Sequence, residues 1–121
     1  MLIVDDVAAV REALRLLLSD EPGVEVVGEA ADGEEALRQV DALRPDLVLM
    51  DLEMPHMGGL PAMRAIRLRP DPPRLVAMSV YGAADATRLS ALDAGASSYV
   101  EKGATLTEVV AALRAAFRGA A

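Results

Sequence analysis

Residues Val48 to Pro55 read VLMDLEMP. The apolar run Leu47 to Met50 has the length of a buried strand, yet it ends on a carboxylate, Asp51, with a second acid, Glu53, close behind. Burying an unpaired carboxylate costs several kcal/mol or forces it to take up a proton. Asp51 must therefore reach solvent at the strand's end or meet a positive partner there.

Outward from this stretch, strand and helix patterns alternate. Leu2-Ile3-Val4 is a short strand running into Asp5-Asp6, and Val7 to Ser19 is a helix with Val7, Val10, Leu14 and Leu17 on one face. Val24 to Ala30 reads as a second strand. Asp32-Gly33-Glu34-Glu35 then opens a helix in capping-box style, with Ala36, Leu37, Val40 and Leu43 inward and Arg44-Pro45 as the stop. After the third strand, Pro61 fits the first turn of a helix whose inner face is Ala62, Met63 and Ile66. Pro70-Asp71-Pro72-Pro73 breaks the chain before a fourth strand, Leu75 to Met78, that ends at Ser79. An alanine-rich helix over Ala84 to Ala94 stops at Gly95. Ser98 to Glu101 is a fifth strand leading to Lys102. Thr105-Leu106-Thr107-Glu108 caps a last helix, with Leu106, Val109, Val110, Leu113 and Phe117 inward.

Five such units in a row imply an α/β fold, a doubly wound five-stranded parallel sheet with helices on both faces. Ligands of these folds bind beyond the carboxyl ends of the strands. Those ends carry Asp5, Asp6, Asp51, Ser79 and Lys102.

A length of 121 residues suits one domain, residues 1–121, and is too short for two. Aromatic residues make up only 2% of the chain, so the core is built from Leu, Val, Ala, Ile and Met. There is no cysteine, which excludes a disulfide framework or a thiolate metal site. A net charge of −7 argues against direct binding of nucleic acid by this chain. No apolar stretch approaches the ~20 residues of a membrane span, and the expected location is the cytoplasm. Of the 12 basic residues, Lys102 is the lone lysine, at a site suited to a compact ammonium on a flexible stem.

Three carboxylates at one sheet edge repel by about 3 kcal/mol per pair at ~5 Å and an effective dielectric of ~20. A cation relieves that repulsion, and all-oxygen donors select a hard ion such as Mg²⁺. Lys102 and the Ser79 hydroxyl supply the positive charge and the hydrogen-bond donor that a phosphoryl group needs. A carboxylate is itself able to accept a phosphoryl group, and Asp51 stands between the acid pair and the hydroxyl.

The order Asp5-Asp6, then Asp-x-x-Met-Pro-x-Met-x-Gly from Asp51, then Ser79, then Tyr-x-x-Lys from Tyr99 resembles the receiver domain of two-component response regulators. GEAADGEEAL and AGASSYVEKGATLTEVVAALRAAFRG are most similar to the NarL/FixJ group. The resemblance implies a (βα)5 flavodoxin-like sheet of order 2-1-3-4-5 and phosphorylation of Asp51 by a sensor histidine kinase. It implies Mg²⁺ held by Asp6, Asp51 and the Glu53 backbone carbonyl, with Asp5 acting mainly through water. Ser79 and Lys102 would contact the phosphoryl oxygens, and Ser79 with Tyr99 would form the switch. The readout would be homodimerisation on phosphorylation, or release of an output domain, through the fourth helix, fifth strand and last helix. The resemblance also implies DNA contact only through a LuxR-type C-terminal domain that is absent from this chain, and no role for a membrane. Two positions depart from the pattern: Val80 where a small residue usually follows the hydroxyl, and Gly103 where proline often follows the lysine.

Two other readings compete. A haloacid-dehalogenase-like phosphohydrolase also uses a strand-end aspartate with an acid two residues on, but normally on its first strand and often beneath a cap. A degenerate receiver would act only as a protein-binding module, which the complete set of acids, hydroxyl and lysine argues against. The expectation is a phosphoacceptor with at most slow self-dephosphorylation, not an enzyme. Taken singly, Asp5-Asp6 would suit a helix cap, Ser79 a turn and His56 a solvated loop.

Overall fold

The computed structural model describes residues 1–80 and 85–118. Its strands are β1 (Leu2–Val4), β2 (Gly28–Ala30), β3 (Leu47–Asp51), β4 (Arg74–Ser79) and β5 (Ser98–Glu101). They alternate with helices α1 (Ala8–Leu18), α2 (Gly33–Leu43), α3 (Gly59–Arg67), α4 (Asp85–Asp93) and α5 (Leu106–Arg118). Every strand pair is parallel and the order is β2-β1-β3-β4-β5, the doubly wound sheet expected.

Successive strand residues point to opposite faces, and helices cover both. Leu2, Val4, Val48, Met50, Leu75 and Ala77 pack with residues of α2, α3 and α4. Ile3, Leu47, Leu49, Val76, Met78 and Val100 pack with residues of α1 and α5. This double cover is why β3 reads as an unbroken apolar run rather than an alternation. Both predicted caps form. Asp32 accepts from the Glu35 amide at 2.8 Å, and Thr105 and Glu108 bond each other's backbone N–H groups at 3.0 and 3.2 Å.

Several local expectations change. The second strand is only Gly28–Ala30, because β1 offers just Leu2, Ile3 and Val4 as ladder partners. On α1 the buried positions are Leu14 and Leu18, while Val7 and Leu17 are exposed. Val7 precedes the helix, and Leu18 continues the i, i+4 row from Val10 and Leu14. Leu43 and Phe117, expected inward, are exposed where the last turns of α2 and α5 flank an open cleft at the strands' amino ends. Ala91 in α4 and Ala94 just after it are fully buried whereas Leu89 and Leu92 are exposed, and Ala84 lies outside the described residues.

The turn from β3 into α3 fixes the sheet edge. A Cβ on Gly59 would stand 2.3 Å from the Asp51 carbonyl oxygen and 2.8 Å from the Leu52 Cα. Both are backbone atoms that cannot swing aside. The glycine is thus required by close approach, not by a left-handed conformation, and it seats α3 directly against the end of β3. Gly59→Ala is expected to lower the unfolding free energy by about 1–3 kcal/mol, the usual range for overpacking, measured by urea denaturation. Unchanged stability would show that this turn yields freely.

Candidate functional site

Three carboxylates meet at the carboxyl end of the sheet. One oxygen from each of Asp5, Asp6 and Asp51 lies within 4.8 Å of the others, a group able to hold a metal ion. Asp5 and Asp51 are fully buried and Asp6 is exposed. Local hydrogen bonds orient both buried groups. Asp5 Oδ1 accepts from the Val7 amide at 2.9 Å, and Asp51 Oδ1 accepts from the Glu53 amide at 3.1 Å. Neither Oδ2 has a hydrogen-bond partner of good geometry, so both are left to the ammonium of Lys102, 3.1 Å from Asp5 and 3.0 Å from Asp51. One cation thus faces two buried anions, with a third carboxylate at the rim.

Burial, with the nearby Asp5 charge, raises the Asp51 pKa from its ordinary 3.8 to about 6, against the pull of Lys102 and the Glu53 amide. Burial also opposes the charged form of Lys102, but its contacts with Asp51 and Asp5 outweigh that and hold its pKa above the ordinary value. The lysine therefore stays protonated, while the aspartate is the strained partner.

Ser79 ends β4 fully buried, and its hydroxyl donates to Glu53 Oε2 at 2.9 Å. The Val80 amide donates to Glu53 Oε1 at 3.0 Å, while the Val80 side chain is 60% exposed and so lies largely in solvent. The lysine's own backbone N–H bonds the Ser79 carbonyl at 2.8 Å, tying the ends of β4 and β5 together. Gly103 adopts φ +84° in the following turn, and the described residues contain no cis peptide bond. Tyr99 is half-buried on β5, and His56 is exposed in the loop after β3 at φ +63°.

The structure thus gathers Asp5, Asp6, Asp51 and Lys102 into one cluster, with Glu53 and Ser79 joined to each other beside it. Two contributors were not anticipated. Arg11 donates from Nη1 to the Asp5 carbonyl at 2.6 Å and from Nε to Glu29 at 2.9 Å, bracing the corner where the acid pair leaves β1. The Glu53 carboxylate is the other, since only its backbone had been given a role. No local pattern announces either contact, because both join separate segments of the chain.

With this geometry in view, residues 1–114 match the response regulator receiver domain family, and the chain belongs to it. It is 44% identical over 120 residues to the response regulator GacA of Pseudomonas viridiflava, covering 98% of this chain and 55% of GacA. It is 46% identical over 102 residues to a protein-glutamate methylesterase/protein-glutamine glutaminase of Alkalilimnicola ehrlichii, covering 84% of this chain and 26% of that protein. A LuxR-family two-component response regulator from Aurantimonas sp. SI85-9A1 superposes with a TM-score of 0.90 at 41% identity, covering 98% of this chain and 84% of that one. The chain thus spans about half and about a quarter of the two curated relatives. The family is a signalling phosphoacceptor module, and some of its members, as the second relative's name records, carry enzymatic domains. Among the described residues no helix is long and apolar enough to cross a membrane.

The crowded carboxylates have a consequence for stability. The raised pKa means that the folded chain keeps a proton at Asp51 that the unfolded chain has already lost between about pH 4 and 6. Rising pH across that window therefore reduces stability. In metal-free buffer, Asp51→Asn is expected to be more stable than wild type near pH 7.5 by on the order of 1–3 kcal/mol, with the gap closing toward about pH 4.5. Thermal unfolding at the two pH values checks this. An Asp51→Asn protein that melts below wild type near neutral pH would show that the ion pair with Lys102 outweighs the crowding.

Proposed function

We propose that Asp51 accepts a phosphoryl group from the phosphohistidine of a sensor histidine kinase. The observation that carries this reading is the state of Asp51 Oδ2: buried, with no partner found besides the Lys102 ammonium 3.0 Å away. Oδ1 is held by the Glu53 amide, so Oδ2 is the atom presented for reaction. It forms the bond to phosphorus as the donor's P–N bond breaks, and the departing imidazole nitrogen keeps the electron pair and takes a proton from solvent. Lys102, 3.0 Å from Asp51, would balance charge there and meet the transferred oxygens, and Ser79 would supply a hydroxyl donor.

Mg²⁺ fits the donor set on chemical grounds. Asp5, Asp6 and Asp51 offer hard oxygen ligands, two of them carry buried oxygens that share the single Lys102 ammonium, and that one cation leaves the group short of positive charge. Asp6, Asp51 and the Glu53 carbonyl would hold the ion, with Asp5 acting through water. When bound, it would neutralise charge on the phosphoryl oxygens.

Phosphorylation adds about −1.5 to −2 charge and three strong acceptor oxygens. Ser79 would turn toward one of them, and Tyr99, with an apolar ring and polar hydroxyl, would follow. The face of α4, β5 and α5 would change in response. Ala91 and, just beyond the helix, Ala94 are the small buried residues that hold α4 down, while Leu89 and Leu92 are partly exposed, which suits an element that moves. The readout would be homodimerisation, or release of a transcriptional LuxR-type output domain, in the cytoplasm.

Intact-mass measurement after incubation with acetyl phosphate and Mg²⁺ tests the acceptor. Wild type is expected to gain one phosphate increment, with Asp51→Asn gaining none and no sustained turnover of an aryl phosphate. An increment retained in Asp51→Asn would overturn the assignment. Ser79→Ala is expected to accept phosphate more slowly while losing the NMR shifts of α4 that beryllofluoride induces in wild type. A full wild-type response in Ser79→Ala would remove the hydroxyl from the switch.

A further inference from the structure

Both carboxylate oxygens of Glu53 are engaged at the end of β4: Oε2 by the Ser79 hydroxyl at 2.9 Å and Oε1 by the Val80 amide at 3.0 Å. The carboxylate thus uses as donors an O–H and a neighbouring backbone N–H beside Asp51. An anionic, multi-oxygen group on Asp51 would draw on donors of the same kind. Each of these hydrogens serves one strong acceptor at a time. The two anions also repel, so the Glu53 carboxylate and a phosphoryl group do not share this position.

We propose that Glu53 is an internal anionic latch: in the unphosphorylated chain its carboxylate holds the Ser79 hydroxyl and the Val80 amide, and it must swing out before a phosphoryl group on Asp51 can take them. This inference rests on Asp51 being the acceptor. The swing needs only side-chain rotation. The Glu53 backbone N–H remains on Asp51 Oδ1, and the residue is only half-buried, so solvent is within reach. Until phosphate arrives, the latch keeps the Ser79 hydroxyl in place. It also adds a fourth acid to a site facing one lysine, so it slows the approach of an anionic phosphodonor. Glu53 is a positioning residue here, acting through Ser79 and Val80.

A purely structural tie predicts the opposite kinetics, since cutting it would loosen the loop and slow the reaction. The test compares wild type, Glu53→Gln and Glu53→Ala for phosphorylation by acetyl phosphate with Mg²⁺, followed by intact mass. Glutamine keeps one acceptor oxygen without the charge, so the expected order of rates is wild type, then Gln, then Ala. The Ala variant should be roughly threefold to tenfold faster, for release of charge-assisted hydrogen bonds. In the same samples the Val80 amide resonance is expected to differ between wild type and Glu53→Ala. Beryllofluoride with Mg²⁺ should bring the two to a common position, because the same acceptor then serves both. A Glu53→Ala protein that is no faster than wild type, with an unmoved Val80 amide, overturns the latch while leaving Asp51 as acceptor. Absence of the phosphate increment from all three proteins overturns the acceptor assignment and the latch with it.

Discussion

Lys102 places its ammonium 3.0 and 3.1 Å from two fully buried carboxylates, and the architecture of the sheet edge is organised around that contact. Without a cation, Asp5 and Asp51 would share a desolvated edge as bare anions, a penalty that an apolar core of this size does not comfortably absorb. With a single ammonium the arrangement is tolerable but still one positive charge short. Burial, together with the Asp5 charge, keeps Asp51 reluctant to ionise, and the shortfall of positive charge makes the same edge receptive to a further cation. A site that is left incompletely neutralised is ready for chemistry that brings its own charges.

The parallel sheet delivers this arrangement with few residues. β1 and β3 are neighbours, so the acids that follow or end them meet without any long loop. β5 lies two strands from β3, and a lysine side chain is long enough to return across β4 to reach Asp51. An arginine at this position would carry a planar fork, matched to one carboxylate rather than to a point between two. The lone lysine in an arginine-rich chain is therefore explained by geometry. Gly59 has a comparable explanation, because α3 starts so near the end of β3 that even a methyl group meets backbone.

The hydroxyl at the end of β4 lies next to this charged edge, bonded to Glu53. Ser79 ends the strand whose alternate residues pack with α4 on one face and α5 on the other. Of the helices on that face α4 is the least firmly held, with Leu89 and Leu92 partly exposed and the small Ala91 beneath. In contrast, α3 anchors itself with Met63 and Ile66, both wholly buried. The described part of α4 is therefore held by less buried apolar side chain than α3.

Much of this was legible in the linear chain. Alternating periodicities gave five strand–helix units, because whether a helix or strand buries a face is decided by residues close in sequence. The run into Asp51, the acid pair after β1 and the lysine after β5 stood out, since a charge at the end of an apolar strand is a local anomaly. The capping boxes at Asp32 and Thr105 were visible for the same reason. What tertiary structure alone decided were the meetings between distant segments: Glu53 with Ser79, 26 residues apart, and Arg11 with Glu29, 18 residues apart. It also decided which residues of α1 were covered and how short β2 became. Those outcomes depend on the packing distance between elements and on which donors a buried carboxylate finds within about 3 Å, and three-dimensional proximity of that kind leaves no periodic trace in the sequence.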